Sequence, residues 1–414
     1  MNQKDFEKIK RSDLALARLL RAEEFRQARS LDLIASENFA SAEVRLLVGS
    51  VLMNKYSEGY PGKRYYPGNA IVDQVETLAI ERAKKSFGLG KNWHANVQPY
   101  SGSPANIAVY LGLAKPGDKI LGMRLAAGGH LTHGHKVNAS GIFFNSVSYE
   151  VNQSTGLINY KEVERIAVKE KPRVIVSGLT AYPRRIDFRK FGAIAKKVGS
   201  YHLADISHIA GLVAAGLHPS PFLHADVVTT TTHKILRGPR GAVIFCKKEL
   251  AEKIDRAVFP GLQGGPHDNT TAAVAYTFGR VATPAYRAYA KHVLENAKTL
   301  ARVLIKEGFV LATGGTDNHM LLLDLKPLGI SGLDAEKFLE CAGIIANRNS
   351  LPGDASPFRP SGIRMGTPAI TTRGMKSEDM VTIATWISRI LIGGENPEKV
   401  GREIQTFLKK FPVS

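Results

Sequence analysis

From Gly117 onward the sequence alternates short apolar runs with amphipathic ones, and no other feature narrows the fold as far. KILG (Lys119 to Gly122), RVIVS (Arg173 to Ser177), YHLAD (Tyr201 to Asp205), DVVTT (Asp226 to Thr230) and GAVIF (Gly241 to Phe245) read as buried strands. Between the second and third, Phe188, Phe191, Ile194, Ala195 and Val198 share one helical face, and Gly199 ends that helix. Such alternation predicts a doubly wound α/β domain with a mostly parallel central sheet. Near Thr283-Pro284 the pattern changes. A long helix follows, with Val293, Ala297, Leu300 and Leu304 in helical spacing and Gly308 as its stop. Short strands such as MLLLDL (Met320 to Leu325) then mix with helices. The expected division is an N-terminal helical arm over 1–30, a large domain over 31–284 and a smaller C-terminal α+β domain over 285–414. Ser12 is the expected cap of a helix carrying Leu16, Leu19 and Leu20 on one side.

Length and composition restrict the class of protein. At 414 residues the chain exceeds one simple core, and 44% hydrophobic with 22% charged residues is ordinary for a globular protein. No apolar run approaches the ~20 residues of a membrane-spanning helix. The first 25 residues mix acids with bases and lack an apolar stretch, so they read as a surface helix rather than a signal, and a cytoplasmic location is expected. Cys246 and Cys341 stand in no metal-type spacing, and no metal is expected. The net charge of +19 favours anionic partners, but the bases are scattered and form no nucleic-acid motif.

Five segments carry chemistry. DVVTTTTHKILRGPRG (Asp226 to Gly241) places Lys234 at a buried strand's end. A buried ammonium is costly, and a desolvated lysine becomes a nucleophile towards an aldehyde; a loop lysine reaching solvent is the alternative. In HLADISHIAG (His202 to Gly211), Asp205 ends a strand and His208 follows three residues later. That Asp either holds a pyridinium nitrogen protonated or caps the next helix. PYSGSPAN (Pro99 to Asn106) offers Ser101, Gly102 and Ser103 at a helix start, as a phosphate cradle or as an ordinary cap. NKYSEGYPGKRYYPG (Asn54 to Gly68) crowds four tyrosines, a glutamate and bases into one loop, either functional or a solvated turn. SGIRMGTPA (Ser361 to Ala369) contains Arg364, either a carboxylate fork or a surface arginine.

Together these segments resemble the serine hydroxymethyltransferase family, from LIASENF (Leu33 to Phe39) through GGHLTHG (Gly128 to Gly134), FPGLQGGP (Phe259 to Pro266) and NRNSLPGD (Asn347 to Asp354) to GIRMGTPAITTRG (Gly362 to Gly374). The resemblance implies a fold-type I pyridoxal-phosphate transferase and a homodimer with shared active sites. Its reaction would be reversible conversion of L-serine and tetrahydrofolate to glycine and 5,10-methylenetetrahydrofolate through an aldimine, with side cleavage of other β-hydroxy amino acids. Pyridoxal 5′-phosphate is the implied cofactor and tetrahydrofolate the cosubstrate. Lys234 would carry the Schiff base, with Thr232 and His233 of the same run at the cofactor site and His233 among the catalytic groups. Asp205 would bind the pyridine nitrogen, His208 would approach the ring oxygen, and His130 would stack on the ring. Ser101, Gly102 and Ser103 would hold the phosphate, joined by Tyr56 and Gly265 of the partner subunit. Ser36 and Arg364 would bind the amino-acid carboxylate, and Glu58 from the partner would manage protons. Tyr65 and Tyr66 would lie beside substrate and folate, while Leu125, Gly129, Leu131, Asn349, Ser356, Pro357 and Phe358 match the folate site.

Three positions depart from the commonest family pattern. Ala127 stands in place of a His, Thr180 in place of a Ser, and Ile235 in place of the Thr after the lysine. Thr180 keeps a hydroxyl that can reach the cofactor; Ile235 and Ala127 remove polar groups expected beside the site. The basic charge suggests a rim for polyglutamylated folate, with Lys63 and Arg64 as candidates. Two other readings compete: a folate-independent aldolase, and a catalytically silent relative that binds nucleic acid. The folate-matching segments oppose the first, and the presence of Lys234, Asp205 and Arg364 opposes the second.

Overall fold

The computed structural model describes residues 3–354, 356 and 359–413. Seven strands form the central sheet: β1 (Trp93–Asn96), β2 (Lys119–Met123), β3 (Asn145–Tyr149), β4 (Val174–Gly178), β5 (Tyr201–Asp205), β6 (Val227–Thr231) and β7 (Ala242–Lys247). Their order is β1-β7-β6-β5-β4-β2-β3. The five strands from β6 to β3 are parallel, and β7 and β1 close one edge antiparallel. Every residue of β4 and β6 is buried, as expected for strands covered on both faces. The chain turns outward from β2 to β3, returns to β4 on the other side of β2, and then moves the opposite way. Ligands of open α/β sheets gather outside the carboxyl ends at such a reversal.

Local chemistry fixes the covering helices. The helix over Phe188–Val198 starts where Asp187 accepts the Lys190 amide at 3.1 Å, and it ends at Gly199 with φ of 72°. Phe188, Phe191 and Ile194 enter the core, each worth roughly 1.5–3 kcal/mol of burial. A second sheet, all antiparallel, orders β8 (Val310–Leu311), β9 (Met320–Asp324), β11 (Gly362–Gly366) and β10 (Asn347–Asn349). It shares a separate hydrophobic core with Ile383, Ile387, Val400 and Ile404. Leu31 and Leu33 belong to this second core, because Leu31–Asp32 pairs in parallel with Ile344–Ile345. One long helix, Pro284–Lys306, serves both cores: Ala290, Val293 and Leu294 enter the first, and Leu300, Ala301 and Leu304 the second.

The expected cap at Ser12 is corrected. Ser12 closes a helix over Gln3–Ser12, and Asp13 caps the next one, Leu14–Arg29, by accepting the Leu16 amide at 2.9 Å. Carboxylate and hydroxyl are both good caps, so adjacent Ser-Asp leaves the choice to the backbone. Leu14, Leu16, Leu19, Leu20 and Phe25 on that second helix are exposed. Among the described residues no helix is long and apolar enough to cross a membrane.

Candidate functional site

Strands β4, β5 and β6 end side by side, with Gly178 opposite Asp205 and Asp205 opposite Thr229. Beyond them opens a cavity of about 350 Å³, lined by Ser36, Glu37, Ser101, Gly102, Ser103, His130, Thr180, Asp205, Ser207, His208, His233, Lys234, Arg240 and Arg364 among others. The sequence scatters these groups over more than three hundred positions; the sheet ends gather them.

Lys234 lies just past β6, half-buried, and its Nζ donates to Thr231 Oγ1 at 3.0 Å. Burial lowers its pKa to about 8, against the attraction of Asp205 and helped by the charges of Arg240 and Arg364. About a tenth of the amine is therefore neutral at pH 7, the form that attacks an aldehyde.

Asp205 ends β5 and is almost wholly buried. Its Oδ2 accepts Asn106 Nδ2 at 2.9 Å and faces His133 Nε2 at 3.2 Å, while Oδ1 accepts Ser207 N at 3.0 Å and Oγ at 2.6 Å. Burial opposes ionisation, but the hydrogen bonds from His133 and Ser207 hold the carboxyl well below its usual range. Asp205 thus does not cap the following helix; it anchors a permanent negative charge at the cavity floor. His133 accepts the His130 amide at Nδ1, so its Nε2 carries the proton aimed at Asp205. Asn106 continues the network: it also donates to Thr132 Oγ1 at 2.9 Å and accepts from Thr229 Oγ1 at 2.7 Å. Thr132 in turn contacts His130 Nδ1 at 2.7 Å. Burial first, then His133, lowers the His130 pKa to about 4, so its ring is neutral near pH 7.

The helix Gly102–Leu113 begins at the cavity with Ser101 extended and no side chain capping its amides. Free amides at a helix start attract anions. Gly102 is required here, because a Cβ would sit 2.7 Å from Thr231 Cγ2. Opposite, on β11, Arg364 is buried; its Nη1 donates to Thr180 O at 2.9 Å and its Nε to Asn347 Oδ1 at 3.1 Å. Burial lowers its pKa to about 10, with Glu37 acting the other way, so it stays charged at neutral pH. Among the described residues no carboxylate stands within ion-pair distance of it. A buried, unpaired guanidinium calls for an anion. Two further lining groups lack partners: Thr180 Oγ1 and His233 Nδ1. Burial, then the charges of Lys234 and Arg240, push His233 down to about 3.

A larger cavity, about 660 Å³, shares His130 and Thr180 with the first and is lined by Leu125, Gly129 and Asn349 with Arg124, His135, Lys136 and Arg348. Leu131 is not in its lining and is partly exposed on the turn Leu131–His133. Ser356 is half-buried, its carbonyl accepting the Arg359 amide at 3.1 Å, and Pro357 and Phe358 lie outside the described residues.

Several expected groups do not reach either cavity of the same chain. Thr232 is fully buried and donates to the Pro239 carbonyl at 2.7 Å, which shapes the turn after Lys234. Tyr56, Glu58, Tyr65, Tyr66 and Gly265 form a separate, largely exposed group. Tyr56 donates to Glu58 at 3.2 Å, packs edge-on to Tyr66 at 5.1 Å and covers Gly265, while Tyr65 meets Phe259 at 5.5 Å. The rim assignment of Arg64 is corrected: its side chain is buried and spans Asp73 at 2.8 Å and Glu76 at 2.7 Å. It secures the tyrosine loop and is not free for folate. Ile235 points into the core beneath Gly211, away from the cavity, so the polar group it replaces is not missed there. Ala127 likewise packs against the main core.

Asn106, Thr132, His133, Ser207 and Thr231 were not singled out as site residues. Two signals were usable: a polar Asn106 within an otherwise apolar helix, and a second His within GGHLTHG.

A protein-family model described as serine hydroxymethyltransferase matches residues 9–387. A protein named serine hydroxymethyltransferase from Desulfotalea psychrophila is 52% identical over 409 residues, covering 98% of this chain and 95% of the relative. Another of that name from Acidothermus cellulolyticus is 51% identical over 412 residues, covering 97% and 96%.

Proposed function

Because this chain belongs to the serine hydroxymethyltransferase family, we propose that the smaller cavity is where its cofactor and amino-acid substrate meet. The protein is a pyridoxal-phosphate-dependent transferase that interconverts L-serine plus tetrahydrofolate with glycine plus 5,10-methylenetetrahydrofolate. The observation that carries the site assignment is one cavity onto which Lys234, Asp205 and Arg364 all open.

The residues present fit the cofactor. The uncapped helix start at Ser101, Gly102 and Ser103 suits a phosphate, and a buried ionised Asp205 suits a protonated pyridine nitrogen. Lys234 would hold the aldehyde carbon; His130 and His208 would flank the ring, with the unpartnered Thr180 hydroxyl and His233 beside it. Bound there, pyridoxal 5′-phosphate supplies an electron sink for the substrate's α-carbon. Arg364, with Ser36, would take the serine carboxylate and end its own lack of a counter-charge. Lys234, with its lowered pKa, would accept or give the proton of the substrate amine. The larger cavity would take folate through Leu125, Gly129 and Asn349, with Leu131 next along the chain from His130, and it meets the first at His130 and Thr180.

A homodimer belongs to the same proposal. Tyr56, Glu58, Tyr65, Tyr66 and Gly265 would serve the cavity of a second copy, with Glu58 moving the proton of the serine hydroxyl. Exposed Leu46, Val51, Met53 and Ile71 near that loop, and the leucines of the Leu14–Arg29 helix, are apolar surface of the kind a partner covers. The chain would divide into an arm (1–30), a large domain (31–284) and a small domain (285–414), with Leu31 and Leu33 crossing into the small domain's core. A cytoplasmic location suits its unpaired thiols. Slow cleavage of other β-hydroxy amino acids is proposed as a side activity. The deciding measurement is glycine formation from serine with and without tetrahydrofolate. Strong dependence on folate supports the assignment; equal rates would make the protein a folate-independent aldolase.

A further inference from the structure

His130 stands in the wall between the two cavities, since it lines both of them. Behind it, Thr132 and Asn106 are wholly buried polar residues to which the proposed function gives no part. Thr132 meets one nitrogen of the His130 ring twice. Its amide donates to His130 Nδ1 at 3.2 Å, and its Oγ1 lies 2.7 Å from the same atom. Asn106 Nδ2 donates to Thr132 Oγ1 and to Asp205 Oδ2, each at 2.9 Å.

We propose that Thr132 is a positioning residue that fixes the tautomer of His130: Nδ1 is held as a bare acceptor, and Nε2–H remains as a donor at the junction of the cavities. Groups that can only donate decide this proton. A backbone N–H never accepts, so the Thr132 amide makes His130 Nδ1 an acceptor, and a proton on Nδ1 would meet the amide hydrogen head-on. The Thr132 hydroxyl is turned the same way. Ionised Asp205 only accepts, so Asn106 presents Nδ2 to it and not Oδ1. The second Nδ2 hydrogen occupies Thr132 Oγ1, and the hydrogen of that hydroxyl is left for His130 Nδ1. Amide and hydroxyl thus converge on one nitrogen, and the single proton of the ring sits on the other. Burial agrees with a neutral ring, since it is what chiefly lowers the His130 pKa to about 4. Among the described residues no side chain or carbonyl accepts from Nε2, which is not sealed off from the cavities.

The consequence for the reaction rests on the site assignment above: His130 would donate from Nε2 to an oxygen of substrate or folate at the junction, and would not be the base that takes a proton there. The tautomer itself does not depend on that assignment, and the experiment reads it first. Full-length protein carrying ¹⁵N-histidine is examined at neutral pH with and without pyridoxal 5′-phosphate, and His130→Gln identifies the His130 signals. The expected result is a protonated Nε2 and an unprotonated, hydrogen-bonded Nδ1 in both samples. Thr132→Val keeps the branched shape and the amide but removes the hydroxyl. The His130 Nδ1 resonance should then move downfield, toward a nitrogen with fewer donors, while Nε2 stays protonated. Thr132→Ser returns the hydroxyl and should return the resonance. A wild-type His130 protonated at Nδ1 overturns the proposal, whether or not any variant folds, and so does a folded Thr132→Val with an unmoved Nδ1 resonance. If the tautomer is as stated but addition of pyridoxal phosphate leaves every His130 resonance unmoved, the cofactor assignment of the cavity fails and the tautomer assignment stands.

Discussion

Two of the cavity's cations, Arg364 and Lys234, each make a separate prediction. Arg364 is buried without a carboxylate, so in the empty protein it costs stability and in the loaded protein it binds. Arg364→Met should therefore raise the denaturation midpoint of the ligand-free protein while weakening serine binding about 10- to 100-fold, the worth of a charged hydrogen-bonded contact. Chemical denaturation and calorimetric titration read the two effects, and a loss in both would show that Arg364 mainly supports the fold. Lys234 makes the second case. Its pKa falls from 10.5 to about 8 on folding, so between those values the unfolded chain binds more protons than the folded one. The cost is present in full below pH 8 and disappears as pH rises to about 10.5. Lys234→Met should then stabilise the cofactor-free protein at pH 7 but not at pH 10.5, and should lower turnover of the loaded enzyme at least ~10²-fold. An equal stability difference at both pH values would contradict the lowered pKa. Lys234 and Asp205 were legible because each sets a charge at the end of a buried strand, and Arg364 was legible through the family resemblance of its segment. Asn106, Thr132 and His133 were not, because their partners lie up to 123 positions away and meet only where a helix crosses the sheet. Arg64 misled for the reverse reason. Its neighbours in the sequence are solvated loop residues, while its carboxylate partners come from the following helix.

At the scale of elements, the contact between the Gly102–Leu113 helix and β6 sets how closely the phosphate cradle approaches Lys234. Gly102→Ala would place a methyl group 2.7 Å from Thr231 Cγ2, with Ser207 Oγ at 4.0 Å on the far side. Such overpacking costs about 1–3 kcal/mol and is relieved only by moving the helix start away from the strand. The expected outcome is a modestly lower melting temperature with a much larger loss of pyridoxal-phosphate affinity, read by cofactor titration. A stable variant with unchanged affinity would mean that the helix start does not hold the phosphate. The alternation of strands and helices made this sheet readable, and strand ends agreed with the expected ones to within about two residues. Strand order was not readable, since the antiparallel edge of β7 and β1 depends on pairing across 148 positions. The pairing of Leu31–Asp32 with Ile344–Ile345 was equally hidden, because a two-residue strand leaves no periodicity.

For the whole molecule, the exposed tyrosine loop and the cavity it does not reach lead to a complementation test. Lys234→Ala and Glu58→Gln chains should each be nearly inactive in the folate-dependent reaction. Unfolded together and refolded, they should recover roughly a quarter of wild-type activity. Random two-fold pairing makes half the dimers mixed, and each mixed dimer holds one intact site. No recovery, with dimers present by sedimentation, would mean that Glu58 serves its own chain. The long helix Pro284–Lys306 bears on the same molecule in another way. One end lies in the core of the central sheet, the other in the core of the small sheet, and no break separates them. Neither core can melt while that rod stays whole, and the rod cannot fray from one end without stripping the other of Val293 or Leu300. Heating a dilute sample should therefore give a single endotherm, and amides at the middle of the rod should exchange with solvent as slowly as those of the strands on either side of it.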